Sequence, residues 1–569
     1  MRRNPSLIGI IAFAFLSTSV AYSNALNLAS FWAATARAQN NSAQKAAQQS
    51  SIAQQPEALD SLRSRIAAHI AQPRFAAASW GIKVVSLDTG ITVFEREPQK
   101  YFNPASNAKL YTAALALESL GADYRIKTSL YSTARPDASG TLKGDLIVYG
   151  RGDPTMAARL NGGDYFKPFD PLIDKLLEAG VRRIEGDIVG DESYFTGPPF
   201  GSGWEWDDLQ AYYGAETSAL TIDDNALDLF VKPADRVGIP CRITTGPSTS
   251  FVTIINRTQT SPKGSESRIV VYRPVGENII YVSGRLAIDN SGYNGSVAVH
   301  NPASLFVTLF RDALAKRGIV VTARTRVIDW KYREVTPVDF TKLIELGSAE
   351  SMPLGDIVRE TLKPSQNLYA QLLLLQVGAA QRLGIGARGL GDEPNPDPQS
   401  PTGNPHSTTE ELGVEMLNDF LNRVVGLKKG AVLLEEGSGL SRRDIISPEA
   451  TVTLLSYMSR SRWAEVYRNA LPLAGVDGTL QNRMKGTPAA GNVRAKTGTL
   501  RYVYALSGYV TTAAGERLAF SIMLNNYHNE RTATSGDNSS TQTQRVPAPR
   551  DDLDAIAIML ASFTGRTKQ

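Results

Sequence analysis

The sequence predicts an α/β chain of the α+β kind: a mainly antiparallel sheet flanked by helices, with one or two β-rich domains inserted into it. Three observations predict this. Helical periodicity is concentrated in two blocks, about residues 57–125 and 339–569. Between them, residues 126–338 are short β-rich runs alternating with Gly, Pro, Asp and Ser turns. Finally, 569 residues, 42% hydrophobic and 20% charged, are enough to bury more than one core.

Taken in order, Arg2 and Arg3 precede an apolar run from Leu7 to Leu16. That run is shorter than the roughly 20 residues a bilayer span needs, and it fits the basic start and apolar core of a secretory signal peptide. Two small-x-small sites follow, Ser19-Val20-Ala21 and Ala36-Arg37-Ala38, and the sequence does not choose between them. The expectation is a cleavable signal within 1–38 and a soluble, exported chain with no stable membrane span. Residues 39–56 are Gln-, Ala- and Ser-rich and read as a disordered linker.

A helix is expected over about Glu57–His69. Two strands follow, Trp80–Leu87 and Ile91–Phe94, turning at Asp88-Thr89-Gly90. The best-signalled helix comes next: Asn103 as cap, Pro104 at its first position, good helix formers from Ser106 to Leu120, and Gly121 as terminator. The middle region has candidate strands at 145–149, 269–272 and 278–282, with one clear helix, about Pro302–Arg317. Helical spacing returns from Leu354 to Arg382, near Glu410–Val424 and over Pro448–Met458. Strands are expected at Arg494–Thr499, Val503–Thr511 and Leu518–Asn525, and a last helix at about Arg550–Phe563. Residues 389–408 and 532–549 read as polar, loop-like segments.

Composition excludes several classes. Sixty basic against 56 acidic residues leave a net charge of +4, too small over this length for a nucleic-acid footprint. One cysteine and four scattered histidines exclude a disulfide scaffold and give no metal-ligand spacing. No metal and no cofactor are expected.

Three short motifs carry the chemistry. Ser106-Asn107-Ala108-Lys109 is S-x-x-K, Ser365-Gln366-Asn367 is S-x-N, and Lys496-Thr497-Gly498 is K-T-G. An S-x-x-K occurs by chance about twice in a chain this long, and Ser42-Ala43-Gln44-Lys45 in the linker is such an occurrence. Context separates the two: the first turn of a helix puts residues i and i+3 on one face, so the hydroxyl can meet the amine. A serine needs a base, and a buried lysine beside a second cation has its pKa lowered enough to serve. Lys109 beside Lys496 supplies that pairing. Ser365 can relay a proton to a leaving amine, and Asn367 can hold a substrate backbone. Backbone N–H groups at the nucleophile and beside the K-T-G strand would hold an oxyanion. Gly498 leaves room for close approach, and Thr497 and Thr499 can donate to a substrate carboxylate.

With these motifs in this order, the chain resembles the low-molecular-mass class C penicillin-binding proteins, the D-alanyl-D-alanine carboxypeptidase/endopeptidase type of peptidase family S13. The resemblance extends to Gly152-Asp153-Pro154-Thr155, Trp204-Glu205-Trp206-Asp207, the glycine block Glu436–Arg442 and Leu473–Leu480, and covers about residues 57–563. The span from Ser106 to Ser365 is also longer than a compact β-lactamase needs. The resemblance implies a penicillin-binding/β-lactamase-like transpeptidase fold with an insertion at 126–338. It implies Ser106 as nucleophile, Lys109 as base, Ser365 and Lys496 completing the catalytic set, and Asn367, Thr497, Gly498 and Thr499 binding substrate. Peptidoglycan stem peptides are the implied substrate, with D-Ala–diaminopimelate cross-bridges beside them, and β-lactam antibiotics are implied to acylate Ser106. The alternatives are a β-lactamase or esterase on the same fold and a non-catalytic envelope-binding protein.

Overall fold

The structure is a computed structural model and describes residues 56–384, 406–528 and 548–568. The expected signal, the linker up to residue 55, and most of both polar loops (389–405 and 532–547) lie outside the described residues.

A five-stranded antiparallel sheet organises the unit Ala58–Gln569. Its order is Arg494–Leu500, Val503–Thr511, Arg517–Asn525, Ser79–Ser86 and Thr92–Arg96. The strands alternate between two buried faces. Leu518, Phe520, Ile522 and Leu524 point to one, where they meet Leu62 and Ile66 of helix Leu59–Ile70 and Leu553, Ile556 and Leu560 of helix Pro549–Ala561. Ala505, Tyr509, Ala519 and Met523 point to the other, against helices Ala108–Leu120, Asn367–Arg382 and Pro448–Met458. Distant parts of the chain meet here: Ser86 Oγ donates to Glu516 Oε1 at 2.6 Å across a sequence separation of 430 residues.

Helix Ala108–Leu120 is buried on nearly every side, as its all-round apolar sequence requires. Its start differs from the expectation. Asn103 Oδ1 accepts from Ala105 N at 3.0 Å, and a single 3-10 turn, Ala105–Asn107, precedes the α-helix. Asn103 thus makes a local turn instead of an α-helical cap. Its amide also donates to the carbonyls of Ser441, Arg442 and Asp444, tying that turn to a distant loop. The periodic stretch expected over 354–382 is two helices, Leu354–Leu362 and Asn367–Arg382. Pro364 lies in the break, since a proline inside a helix clashes with the preceding turn.

Residues 127–350 build a second core. A mixed five-stranded sheet runs Thr325–Ile328, Ile188–Asp191, Leu146–Tyr149, Lys127–Ser132 and Ile344–Glu350. Smaller sheets carry Thr253–Ser261 with Ile279–Ala287 and Arg268–Tyr272, and Tyr293–Ala298 with Ala226–Lys232 and Arg242–Gly246. Two helices of two turns or more stand here where the sequence suggested one: Pro302–Lys316 and the shorter Asp170–Glu178. Phe169, Phe306 and Phe310 stack between them. Ile344–Glu350, which follows residue 338, belongs to this sheet through its antiparallel pairing with Lys127–Ser132.

Candidate active site

Four chain segments converge on the 3-10 turn that carries Ser106. Ala105, immediately before it, has φ 46°, a left-handed backbone that a non-glycine residue adopts only under constraint. The constraint is visible on both sides. Gly439 packs so closely that an added Cβ would lie 2.0 Å from Ala105 O. A Cβ on Gly498 would lie 2.5 Å from Pro104 O. The close approach that Gly498 permits is therefore that of the strand Arg494–Leu500 to the protein's own serine turn.

The S-x-x-K spacing acts as expected. Lys109, in the first turn of the α-helix, is completely buried. Its Nζ donates to Ser106 Oγ at 2.9 Å, to Asn367 Oδ1 at 2.6 Å and to Ser438 O at 2.6 Å. No carboxylate pairs with it among the described residues. Burial lowers its pKa to about 7, against the opposing pull of the negative charge on the loop that carries Glu436 and Asp444. In the neutral form one of its three bonds reverses: the Ser106 O–H can then donate to the amine lone pair.

Ser365 lies in the break between two helices, with φ 68°. It is not a cap, since Gln366 holds that position. The left-handed turn brings its Oγ to Lys496, whose Nζ donates to it at 2.7 Å and to Thr497 O at 2.9 Å. Lys496 is also completely buried, and burial first, then the nearby Lys109, holds it well below the ordinary lysine range. The two lysines thus each hold one of the two serine hydroxyls.

Asn367 is 8% exposed, and both ends of its amide are engaged: Oδ1 by Lys109, and Nδ2 as donor to Tyr213 O at 2.9 Å. Nδ2 keeps a second N–H beyond that bond. Thr497 Oγ1 donates to Thr479 Oγ1 at 2.9 Å, whereas Thr499 is exposed. Their strand is an edge strand. Past Ala495, whose N–H donates to Pro472 O, its outer edge takes no backbone partner among the described residues.

Residues outside the three motifs complete the arrangement. Ser438 O is a ligand of Lys109, and Glu436 fixes the loop that delivers it. Tyr213, from the 127–350 region, reaches Asn367 through its carbonyl. The glycine-rich block 436–442 was the sequence signal for the loop, but backbone contacts leave no side-chain signature. Among the described residues no cluster of His, Cys, Asp and Glu is arranged to hold a metal ion, and no helix is long and apolar enough to cross a membrane.

Comparison with known proteins adds the following. The model of the D-Ala-D-Ala carboxypeptidase 3 (S13) family matches residues 62–387 and 402–545. The chain is 33% identical over 522 residues to a D-alanyl-D-alanine carboxypeptidase of Actinomadura sp. (strain R39), covering 89% of this chain and 86% of that one. It is 28% identical over 451 residues to the D-alanyl-D-alanine carboxypeptidase DacB of Haemophilus influenzae, covering 78% and 83%. The crystal structure of penicillin binding protein 4 (dacB) from Haemophilus influenzae superposes with a TM-score of 0.67 at 24% identity, over 87% of this chain and 97% of that one. That last likeness is one of fold.

Proposed function

The chain belongs to the D-Ala-D-Ala carboxypeptidase 3 (S13) family, and on that footing we propose that it is a serine-type D-Ala-D-Ala carboxypeptidase acting on peptidoglycan stem peptides through an acyl-enzyme on Ser106. The observation that carries the assignment of roles is the buried Lys109 amine, 2.9 Å from Ser106 Oγ and without a carboxylate partner. In this reading neutral Lys109 takes the serine proton as Oγ attacks the carbonyl between the two D-alanines. Backbone N–H groups at Ser106 and on the edge strand hold the tetrahedral oxyanion. Ser365, hydrogen-bonded to Lys496, passes a proton to the departing D-alanine amine. Thr497 and Thr499 receive the terminal carboxylate, and the remaining N–H of Asn367 meets the substrate backbone. Water then hydrolyses the ester. The same acyl-enzyme would open D-Ala–diaminopimelate cross-bridges, and β-lactams would acylate Ser106. Residues 127–350 are an insertion in the catalytic fold, and the site of action is the periplasm or cell envelope.

The test is intact-mass spectrometry of the mature protein after incubation with benzylpenicillin, with peptide mapping. The expected result is one stable adduct on the peptide containing Ser106. Drug consumed without an adduct would indicate a β-lactamase. A folded protein that neither binds nor consumes the drug would refute the enzymatic reading.

Gly498 gives a second expected result. Gly498→Val forces a side chain against Pro104 O and drives the edge strand away from the serine turn. A displacement of about 1 Å in a reacting geometry costs on the order of 100-fold. The second-order rate of penicillin acylation is therefore expected to fall by about that factor or more. An unchanged rate would mean that the strand's position is immaterial.

A further inference from the structure

The loop Glu436–Asp444 contains two carboxyl groups with no cation between them, both completely buried. Glu436 behaves as an anion receptor's guest. Its Oε2 accepts from Ser438 N at 2.7 Å, and its Oε1 accepts from the N–H groups of Gly439, Leu440 and Ser441, the last two at 2.9 and 3.4 Å. Four N–H donors on one carboxylate are what a loop offers to a charged group. Asp444 is different. Its Oδ1 accepts from Glu435 N at 2.9 Å, but Oδ2, sealed from solvent, accepts no hydrogen bond. A buried carboxylate oxygen without a donor is costly, whereas a carboxylic acid there can donate its proton to the neighbouring Glu436.

We propose that Glu436 is a positioning residue for the reaction: its carboxylate shapes the loop that presents Ser438 O to Lys109 and supplies the negative charge that favours protonated Lys109, while Asp444 is the partner that carries the proton. This rests on the reading of Lys109 as the base. Asp444 is pushed well above the ordinary carboxyl range by burial first and by Glu436 second. On Lys109 the Glu436 charge acts against burial. The charge thus keeps the amine basic enough to take a serine proton, where burial alone would leave a weaker base. The other charged groups around this cluster are Lys496, facing Lys109 from the edge strand, Glu435 with its ion-pair partner Arg443, and Glu410, which lies near Glu436 beyond Gln371. Gln371 bridges this side: its Oε1 accepts from Gly437 N at 2.8 Å and its amide donates to Glu410.

The experiment is the pH dependence of benzylpenicillin acylation, followed by mass on the full mature chain, for wild type, Glu436→Gln and Asp444→Asn. Removing the Glu436 charge is expected to move the acid limb of the profile to lower pH by about one unit and to lower the plateau several-fold. Asp444→Asn replaces one neutral donor by another and is expected to leave the limb where wild type has it. A limb that stays in place in Glu436→Gln, or that moves in Asp444→Asn, overturns the inference. A wild-type profile with no acid limb would instead refute Lys109 as the base, a distinguishable failure. Should Glu436→Gln not fold, infrared spectra decide: wild type is expected to show a protonated-carboxyl stretch that Asp444→Asn lacks, and its absence from wild type overturns the proposal.

Discussion

Ser106→Ala is expected to give a folded protein that forms no benzylpenicillin adduct and releases D-alanine at least about 10⁴-fold more slowly than wild type. The fold is expected to survive because Ser106 Oγ supplies just one of the three acceptors around Lys109. Asn367 Oδ1 and Ser438 O remain. The turn itself is held by Asn103, by the packing of Gly439 and by the strand at Gly498. The melting temperature is therefore expected within a few degrees of wild type. An adduct on the alanine variant would locate the nucleophile elsewhere.

Lys109→Met is expected to produce the second-largest effect. Methionine keeps the apolar stem in a fully buried position but removes the proposed base. Loss of a positioned general base costs about 10²–10⁴-fold. The pH profile separates this from a packing effect. Lys109 is depressed to about 7, so its neutral, reactive fraction is nearly complete at pH 8 and falls about tenfold per unit below pH 7. Wild-type acylation is expected to show that acid limb, and the residual rate of Lys109→Met to lack it. Stability follows the same group with a definite sign. Between about pH 7 and the ordinary lysine range the unfolded chain binds a proton that folded Lys109 does not. This contribution to stability is lost as pH falls through that window and levels off below it. Thermal melts of wild type and Lys109→Met across that window check the sign, since the variant is expected to show a shallower slope, with the depressed Lys496 alone contributing.

Of the three motifs, S-x-x-K was the most legible because it depends on short-range geometry alone. The i, i+3 spacing of Ser106 and Lys109 is a property of any helix turn, and it holds although the turn begins as 3-10 and Asn103 is not the α-helical cap. Ser365 was harder. A serine after proline at a helix start resembles a cap, whereas here Gln366 takes that position and the left-handed Ser365 faces Lys496. Gly498 suggested room for a ligand, and the neighbour that needs the room is Pro104 O, which no local pattern announces. Glu436 and Ser438 were illegible as site residues. Their contribution is a carbonyl that meets Lys109 across 329 positions, and a set of N–H bonds accepted by Glu436 that shape the loop behind it. In the middle region, helix Asp170–Glu178 has nine residues, too few for periodicity to stand out between turns. Ile344–Glu350 carries two glutamates and a glycine, and its place as a strand is fixed by Lys127–Ser132.

The bond between Ser86 and Glu516 has a consequence for how the molecule comes into being. The strand Ser79–Ser86 emerges early from any machine that delivers the chain from its amino end, yet one of its sheet neighbours, Arg517–Asn525, arrives among the last residues. In the interval it lacks that partner, a period in which an unpaired strand edge is a hazard. The region 127–350, with its own apolar core, has every strand partner available by residue 350 and can consolidate while the rest is awaited. Closing so long a loop adds little at equilibrium, about 0.6 kcal/mol for each doubling of its length. What it sets is order in time. Lys496 and its edge strand come late, so the serine turn meets its second lysine only near the end, and the proposed reactive centre is among the last parts of the protein to exist.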